Sequence, residues 1–482
     1  MMALVHMPVV HTVALVLALS AGCAAEEDPG DSGSSDDGSD LSGYEDHDGT
    51  GAGADDGDGP DDNIPNAEDE IDTEVGIADD GDLDPAELAD LEEDSALPDE
   101  DDPYLEPDDA TAFRLAPAAT LKAGCIARAH FAGATAWFFF VRPDAPCRGE
   151  GAGRDRNAMA ELIRIIRSVP SGARIDGHIF NISIDKVARE LYNAKKRGVE
   201  VRISADGQVA QLQDASKVVY LDGLKHIVYC TGENRACIST ADRGIAHTKL
   251  FTFSRATQPD GTVSNDVVWF GSTNQTLTSG TNMFNDTVTI YGAGGLYQDL
   301  RHYLEDMQAR KKTDDYYNWE AGRGYVRRAP ANVYISPEIH TDLVNHRLDD
   351  LTPAAGCEVR VMQSMIKDNR LAVVDRLVTM KQGGCDVRVV ANKPEPEAVK
   401  RMKAAGIEIR QEHVHNKVFI IRGNYNGTTK HRVFTGSHNL GFGSRIFDEI
   451  FVKLAPEVGD THPVYDAYVK HFQDAWDGAE PL

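Results

Sequence analysis

Two stretches of the chain gather side chains that suit a phosphate ester. AHTKLFTF (246–253) is followed by VVWFGSTNQT (267–276), and VHNKVFII (414–421) is followed by RVFTGSHNL (432–440). Each reads H-x-K at the start of an apolar run, then G-S-x-N closing another. In an extended strand, residues two apart share a face, so His247 pairs with Lys249 and His415 with Lys417. Lysine supplies a fixed positive charge. The amides of Asn274 and Asn439 and the hydroxyls of Ser272 and Ser437 supply donors, and together these suit a phosphoryl group. Imidazole can attack phosphorus or protonate a leaving oxygen near neutral pH. Two facing half-sites offer one histidine for each task. A single HxK or a single GSxN says nothing; both motifs, in order and in duplicate, form a specific signal.

Elements that could hold these residues are repeated too. KKRGVEVRISADG (195–207) and KQGGCDVRVVANK (381–393) align without a gap, each a helix end, a glycine and a short β-branched strand. An amphipathic helix precedes each. The first starts at an expected N-cap, Asp185, with Val187, Leu191 and Ala194 on one face; the second aligns Leu371, Val374 and Leu377. Apolar strands around 175–182 and 357–362 lie upstream. Strand, helix and strand at this spacing predict a βαβ unit with parallel strands in each copy. The fold class is therefore α/β, in two pseudo-twofold halves with a seam near DDYYNWEAGRGY (314–325).

The doubled HxK…GSxN pattern resembles the phospholipase D superfamily, and the resemblance covers about 111–482. It implies two α/β/α half-domains with mixed sheets, 111–325 and 326–482, meeting at one metal-independent site with no cofactor. One histidine forms a phosphohistidine and the other protonates the leaving alcohol; the usual order makes His247 the nucleophile and His415 the acid. Lys249, Lys417, Asn274 and Asn439 then hold phosphoryl oxygens. The family also places a carboxylate about ten residues after GSxN to orient a histidine. Asp286 fits in the first half, and Asp448 or Glu449 in the second, with Glu449 preferred. The longer family signature, HxKxxxxD, is broken at Ser254 and Arg422. His413, two residues before His415, is expected to pack or support rather than react.

The charge is unevenly distributed. The chain has 482 residues with 48 Lys+Arg and 78 Asp+Glu, yet residues 26–109 hold 36 of the acids and no Lys or Arg. Outside that segment 48 basic residues face 42 acidic ones, a net of +6, so the overall acidity does not argue against an anionic substrate. Residues 24–110 read as a disordered acidic linker. Within it, DDGDLDPAELADLEE lacks the glycine and the final glutamate of a calcium loop. Residues 1–23 read as a signal peptide whose LSAGC end resembles a lipoprotein cleavage box, with Cys23 as the acylated residue and Ser20 as a departure. The expected location is outside the cytoplasm, as an envelope lipoprotein or a secreted protein. No apolar run reaches the length of a spanning helix.

Six further cysteines fall into three sequence-local pairs: Cys125 with Cys147, Cys230 with Cys237, and Cys357 with Cys385. Export makes these disulfide candidates, with buried thiols as the alternative, and their spacing matches no zinc motif. The leading functional expectation is a phosphodiesterase or transphosphatidylase acting on phospholipids at a membrane surface, as a monomer. The aromatic seam residues Tyr316, Tyr317 and Trp319 suit either such a surface or packing between the halves. An exported metal-independent nuclease is the alternative enzyme, although no dense Lys/Arg stripe marks a nucleic-acid track. A non-catalytic, anion-binding surface lipoprotein is the third reading.

Overall fold

The structure, a computed structural model, describes residues 124–131, 133–148, 154–232, 234–319, 323–454 and 461–482. The expected signal peptide, Cys23 and the acidic linker lie outside the described residues. Two mixed sheets form the frame. The first contains β1 (Ile126–Phe131), β2 (Ala134–Val141), β3 (Arg174–Ile179), β4 (Glu200–Asp206), β5 (His226–Cys230), β6 (Leu250–Thr257), β7 (Val263–Gly271) and β8 (Asn285–Tyr291), in the order β1-β2-β8-β7-β6-β3-β4-β5. The second contains β9 (Tyr325–Arg328), β10 (Ala331–Ser336), β11 (Glu358–Ile366), β12 (Asp386–Pro394), β13 (Glu408–Gln411), β14 (Lys417–Tyr425), β15 (Thr428–Gly436), β16 (Glu449–Leu454) and β17 (Glu480–Pro481), in the order β17-β13-β12-β11-β14-β15-β16-β10-β9.

The two expected βαβ units are present. β3 and β4 are parallel neighbours joined through the helix Asp185–Lys196, and β11 and β12 are joined through Leu371–Gln382. Val187, Leu191 and Ala194 are fully buried, as are Val374 and Leu377, while Leu371 is only half-buried. Asp185 is not the cap. It is the first helical residue, after Ile184, and its carboxylate takes the Ser216 hydroxyl of a neighbouring turn instead.

Strand periodicity sorts the core into layers. In β2, Trp137, Phe139 and Val141 face an outer cluster with the helices Asn157–Ser168 and Asp185–Lys196. The alternate residues Ala136, Phe138 and Phe140 face a central cluster, which continues into Met362, Val418, Ile420, Ile450 and Val452 of the second sheet. A third cluster packs the outer face of the second sheet under its own helices. The two halves therefore share one apolar layer, and a site at its rim draws side chains from both. Among the described residues, no helix is long and apolar enough to cross a membrane.

All three local cysteine pairs are disulfides, with Cα–Cα separations of 5.6 Å for Cys125–Cys147, 5.0 Å for Cys230–Cys237 and 4.4 Å for Cys357–Cys385. Tyr316 is buried against Tyr303 and Trp319, and Tyr317 packs near Tyr325, so the aromatic seam belongs to the core rather than to an exposed surface.

Candidate active site

Each H-x-K segment sits where its strand begins. His247 and Lys249 immediately precede β6, and Lys417 opens β14 two residues after His415. The two segments dock on the opposite halves through matching bridges, Ala246 with Asp448 and Phe284 with Val414. All four side chains are fully buried. Each lysine curls back on its own histidine, Lys249 Nζ donating to the His247 carbonyl at 2.6 Å and Lys417 Nζ to the His415 carbonyl at 2.7 Å. The Lys249 ammonium also lies 4.7 Å from the centre of the Phe180 ring, which meets the His247 imidazole edge-on at 4.6 Å. The middle residues point the other way, as strand alternation requires. Thr248 bonds Tyr303 and the Asp448 carbonyl, and Asn416 donates to Asp286.

The histidines are oriented across the interface. His247 Nδ1 lies 2.9 Å from Glu449 Oε1, and Glu449 also accepts from Ser444 Oγ at 2.9 Å. Burial pushes the Glu449 carboxyl up, against the opposing pull of His438 and Lys249. His415 Nδ1 instead lies 3.1 Å from Asn285 Oδ1. The Asn285 amide nitrogen donates to the carbonyls of Ser279 and Met283, which leaves its oxygen to face the ring. His415 Nδ1 is therefore the donor, and the proton chemistry of its ring falls to Nε2.

That pairing corrects one expectation. Asp286, expected to orient a histidine, does not touch His415; the preceding residue does. Matching backbone bonds explain why: Ser272 N donates to the Asp286 carbonyl and Ser437 N to the Ile450 carbonyl, so Asp286 corresponds to Ile450 and Asn285 to Glu449. Asp448, the alternative to Glu449, faces away and accepts the backbone N–H groups of Cys237, Ile238 and Ser239.

The serines of GSxN are also placed differently from expectation. Ser272 Oγ bonds Asn285 and Asp286, and Ser437 Oγ accepts the Ile450 N–H, so both hydroxyls clamp the strand that carries the orienting residue. The adjoining glycines permit this close approach. A Cβ on Gly271 would collide with the Asp286 carbonyl and one on Gly436 with the Ile450 carbonyl. Asn274 Nδ2 donates to Ser279 Oγ at 2.9 Å, and a half-turn of that amide would present its N–H groups instead. Asn439 is held through its backbone, its N–H on Ser444 Oγ and its carbonyl on the buried Arg370, which is itself doubly bonded to Asp342.

Several site residues escaped the motif reading: Asn285, Phe180, the Arg370–Asp342 pair, and Ser279 with Ser444. The last two carried a signal, since both copies extend to G-S-x-N-x-x-x-x-S. The residues that break the longer signature have other partners. Ser254 Oγ accepts the Arg174 N–H, and Arg422 pairs with Glu358 at 2.7 Å. His413 is exposed rather than packed; its carbonyl accepts the Phe284 N–H and its own N–H donates to Glu412. Among the described residues there is no cluster of metal-ligating side chains.

Residues 341–476 match the family model described as cardiolipin synthase, PLD-like domain. The doubled H-x-K and G-S-x-N apparatus of the two halves is similar to that of the phospholipase D superfamily, and the matched PLD-like model covers most of the second half. Phosphatidylserine synthase from Haemophilus influenzae Rd KW20 is a structural neighbour at 10% identity, over 69% of this chain and 87% of that one, with a TM-score of 0.46. Nuc from Salmonella typhimurium, a phospholipase D family member, is 22% identical over 32% of this chain and 97% of its own, with a TM-score of 0.25. Polyphosphate kinase from Porphyromonas gingivalis is 12% identical over 64% of this chain, with a TM-score of 0.40, and this chain spans 46% of that kinase's length. No curated protein sequence matches the chain.

Proposed function

We propose that the protein is a phosphodiester hydrolase or transphosphatidylase that works through a phosphohistidine, with phospholipid as its substrate. The observation that carries the mechanism is the crossed and unequal pairing of the histidines. His247 is backed by the Glu449 carboxylate and His415 by the neutral Asn285 oxygen. When Nε2 of His247 bonds phosphorus, its ring becomes cationic, and a buried carboxylate on Nδ1 stabilises that state. An amide oxygen stabilises a cation less, so protonated His415 releases its proton more readily.

The steps follow from this difference. His247 Nε2 attacks phosphorus as the bond to the leaving oxygen breaks, and His415 passes its Nε2 proton to that oxygen. Water, or an acceptor alcohol, then attacks phosphorus while His415 takes its proton and the P–N bond breaks. Lys249, Lys417, Asn274 and Asn439 offset the negative charge on the phosphoryl oxygens.

The cardiolipin-synthase description of the matched model supports the lipid reading, as do the export signal and lipobox-like end read in the sequence. In that setting Cys23 carries the lipid, and the acidic segment tethers the body outside the cytoplasm. Purified protein incubated separately with phosphatidylcholine vesicles, plasmid DNA and an aryl phosphodiester, each with and without EDTA, tests the proposal. Release of headgroup that persists in EDTA is expected. Cleavage of plasmid alone would replace the lipid reading with the nuclease one, and binding without turnover of any substrate would overturn the enzymatic reading.

A further inference from the structure

Asp286 is fully buried, and its carboxylate accepts four hydrogen bonds. Oδ1 accepts from Ser272 Oγ at 3.0 Å and Asn416 Nδ2 at 2.8 Å, and Oδ2 from Thr435 Oγ1 at 2.5 Å and Tyr468 Oη at 2.7 Å. Three of the four donors come from the second half. Asn416 lies between His415 and Lys417. Thr435 precedes the Gly436–Ser437 turn, and Tyr468 projects from the helix Pro463–Gly478, its ring edge-on to Phe140 of β2 at 5.1 Å. Asn285, the next residue back along β8, is the one that holds His415 Nδ1.

We infer that Asp286 is a positioning residue for His415: it fixes β8 against the second half so that Asn285 meets the His415 ring in the correct register. The inference rests on reading His415 as the proton donor. The geometry explains why the position carries a carboxylate. Two oxygens with about four lone-pair directions accept all four donors, whereas an amide offers one oxygen and an apolar residue would take this acceptor from Asn416, Thr435 and Tyr468, leaving only Ser272 its bond to Asn285. Both ends of the His415 segment feel the link. Asn416 is held from below, with its own Oδ1 3.4 Å from His471 Nε2, while Asn285 approaches from the side. Ile450, the corresponding residue of the other half, makes no such link, so the device serves only the acid's half-site.

Asp286→Asn is nearly isosteric and can keep its oxygen toward Ser272 and Asn416. Its N–H₂ group then faces the Thr435 and Tyr468 hydroxyls, which can turn to accept, so the fold is expected to persist with a weaker link. A misplaced acid matters when the leaving group is a poor one. Turnover of phosphatidylcholine, which releases an alkoxide, should therefore fall at least about tenfold, while single-turnover phosphorylation by an aryl phosphodiester changes less than about threefold. Tyr468→Phe removes one donor of four and should show the same selectivity at about threefold, which gives a second reading should Asp286→Asn fail to fold. Equal losses on both substrates, or no loss on either, would overturn the inference. His415→Ala is measured alongside. If it loses the alkyl substrate selectively and the Asp286 and Tyr468 variants do not, this inference alone fails; if His415→Ala shows no selectivity, the assignment of the acid fails as well.

Discussion

The two half-sites are built from the same motif and differ in one atom type behind the ring. Glu449 places a carboxylate oxygen on His247 Nδ1, and Asn285 places an amide oxygen on His415 Nδ1. Several of their supports are matched. Ser444 and Ser279 are equivalently placed, the lysines fold back alike, and the glycines before Ser272 and Ser437 each allow a neighbouring carbonyl to approach. The latches to the opposite half are not matched. In the second half Asp448, just before Glu449, takes the backbone N–H groups of Cys237, Ile238 and Ser239, at the end of the loop that Cys230–Cys237 closes. In the first half the corresponding residue is apolar Phe284, and the latch is Asp286, just after Asn285. Duplication supplies two histidines, and the divergence around them is the basis on which the proposed mechanism assigns attack to His247 and proton donation to His415.

Removing the two histidines should therefore produce different losses, the largest expected here. His247→Ala deletes the attacking nitrogen and should lower turnover roughly 10⁴-fold or more on any substrate, with no covalent phosphate on the protein. His415→Ala should lower turnover of an alkyl phosphodiester by about 10²–10⁴-fold. With an aryl substrate it should still be phosphorylated once and then stall, because no base activates water. Acid-labile phosphate on His415→Ala alone supports the assignment. Adduct on His247→Ala alone reverses it, and full activity of either variant would remove that half-site from the mechanism.

Exchanging the groups behind the rings should give smaller and opposite effects. Glu449→Gln takes the charge from behind the proposed phosphohistidine and should slow adduct formation by roughly 10²-fold. Asn285→Asp adds a charge behind the acid, though one oxygen then faces the carbonyls of Ser279 and Met283. It should cost only about tenfold and move the alkaline limb of the pH–rate profile upward, because a carboxylate favours the protonated ring. Stopped-flow phosphorylation of each variant across pH 5–9 separates the two. A larger loss in Asn285→Asp than in Glu449→Gln would mean that the charge behind His247 is not what distinguishes the rings.

The chain's motifs revealed the halves, the βαβ units, both histidines and Glu449, because each depends on a period or spacing that survives duplication. Asn285 was hidden by a shift of one residue. Ser279 precedes Asn285 by six positions, whereas Ser444 precedes Glu449 by five. Aligning FND with FDE therefore equates Asp286 with Glu449, and a one-residue slip on a strand moves a side chain to the opposite face. The sequence also favoured the carboxylate on chemical grounds, and nothing local signals that an amide would be used instead. The Arg370–Asp342 support was out of reach for another reason. It joins residues 28 apart to a loop some 70 residues further on, so only the tertiary fold brings them together.

The smallest expected effect concerns Asp448 and appears in stability. Burial pushes its carboxyl up to about 6, against the three backbone N–H groups that lower it. In the unfolded chain an aspartate titrates near about 3.9. Between those values the folded protein holds a proton that the unfolded chain has released, so this group's contribution to stability falls as pH rises from about 4 to about 6, and is constant above that window. Asp448→Asn cannot titrate. It also turns an N–H₂ group toward backbone donors, which should lower the melting temperature at every pH. The wild-type lead over Asp448→Asn should therefore be largest near pH 4, shrink by a few degrees toward pH 6.5, and level off. The comparison cancels titrating groups remote from Asp448. Asp206, pushed up to about 7 by burial and in smaller part by Asp448, loses the second push in the variant, which adds to the same decline of the wild-type lead. Thermal melts of both proteins at half-unit intervals test this directly. Parallel curves would show that the Asp448 carboxylate titrates alike in the folded and unfolded chains, and that its three N–H partners fully offset its burial.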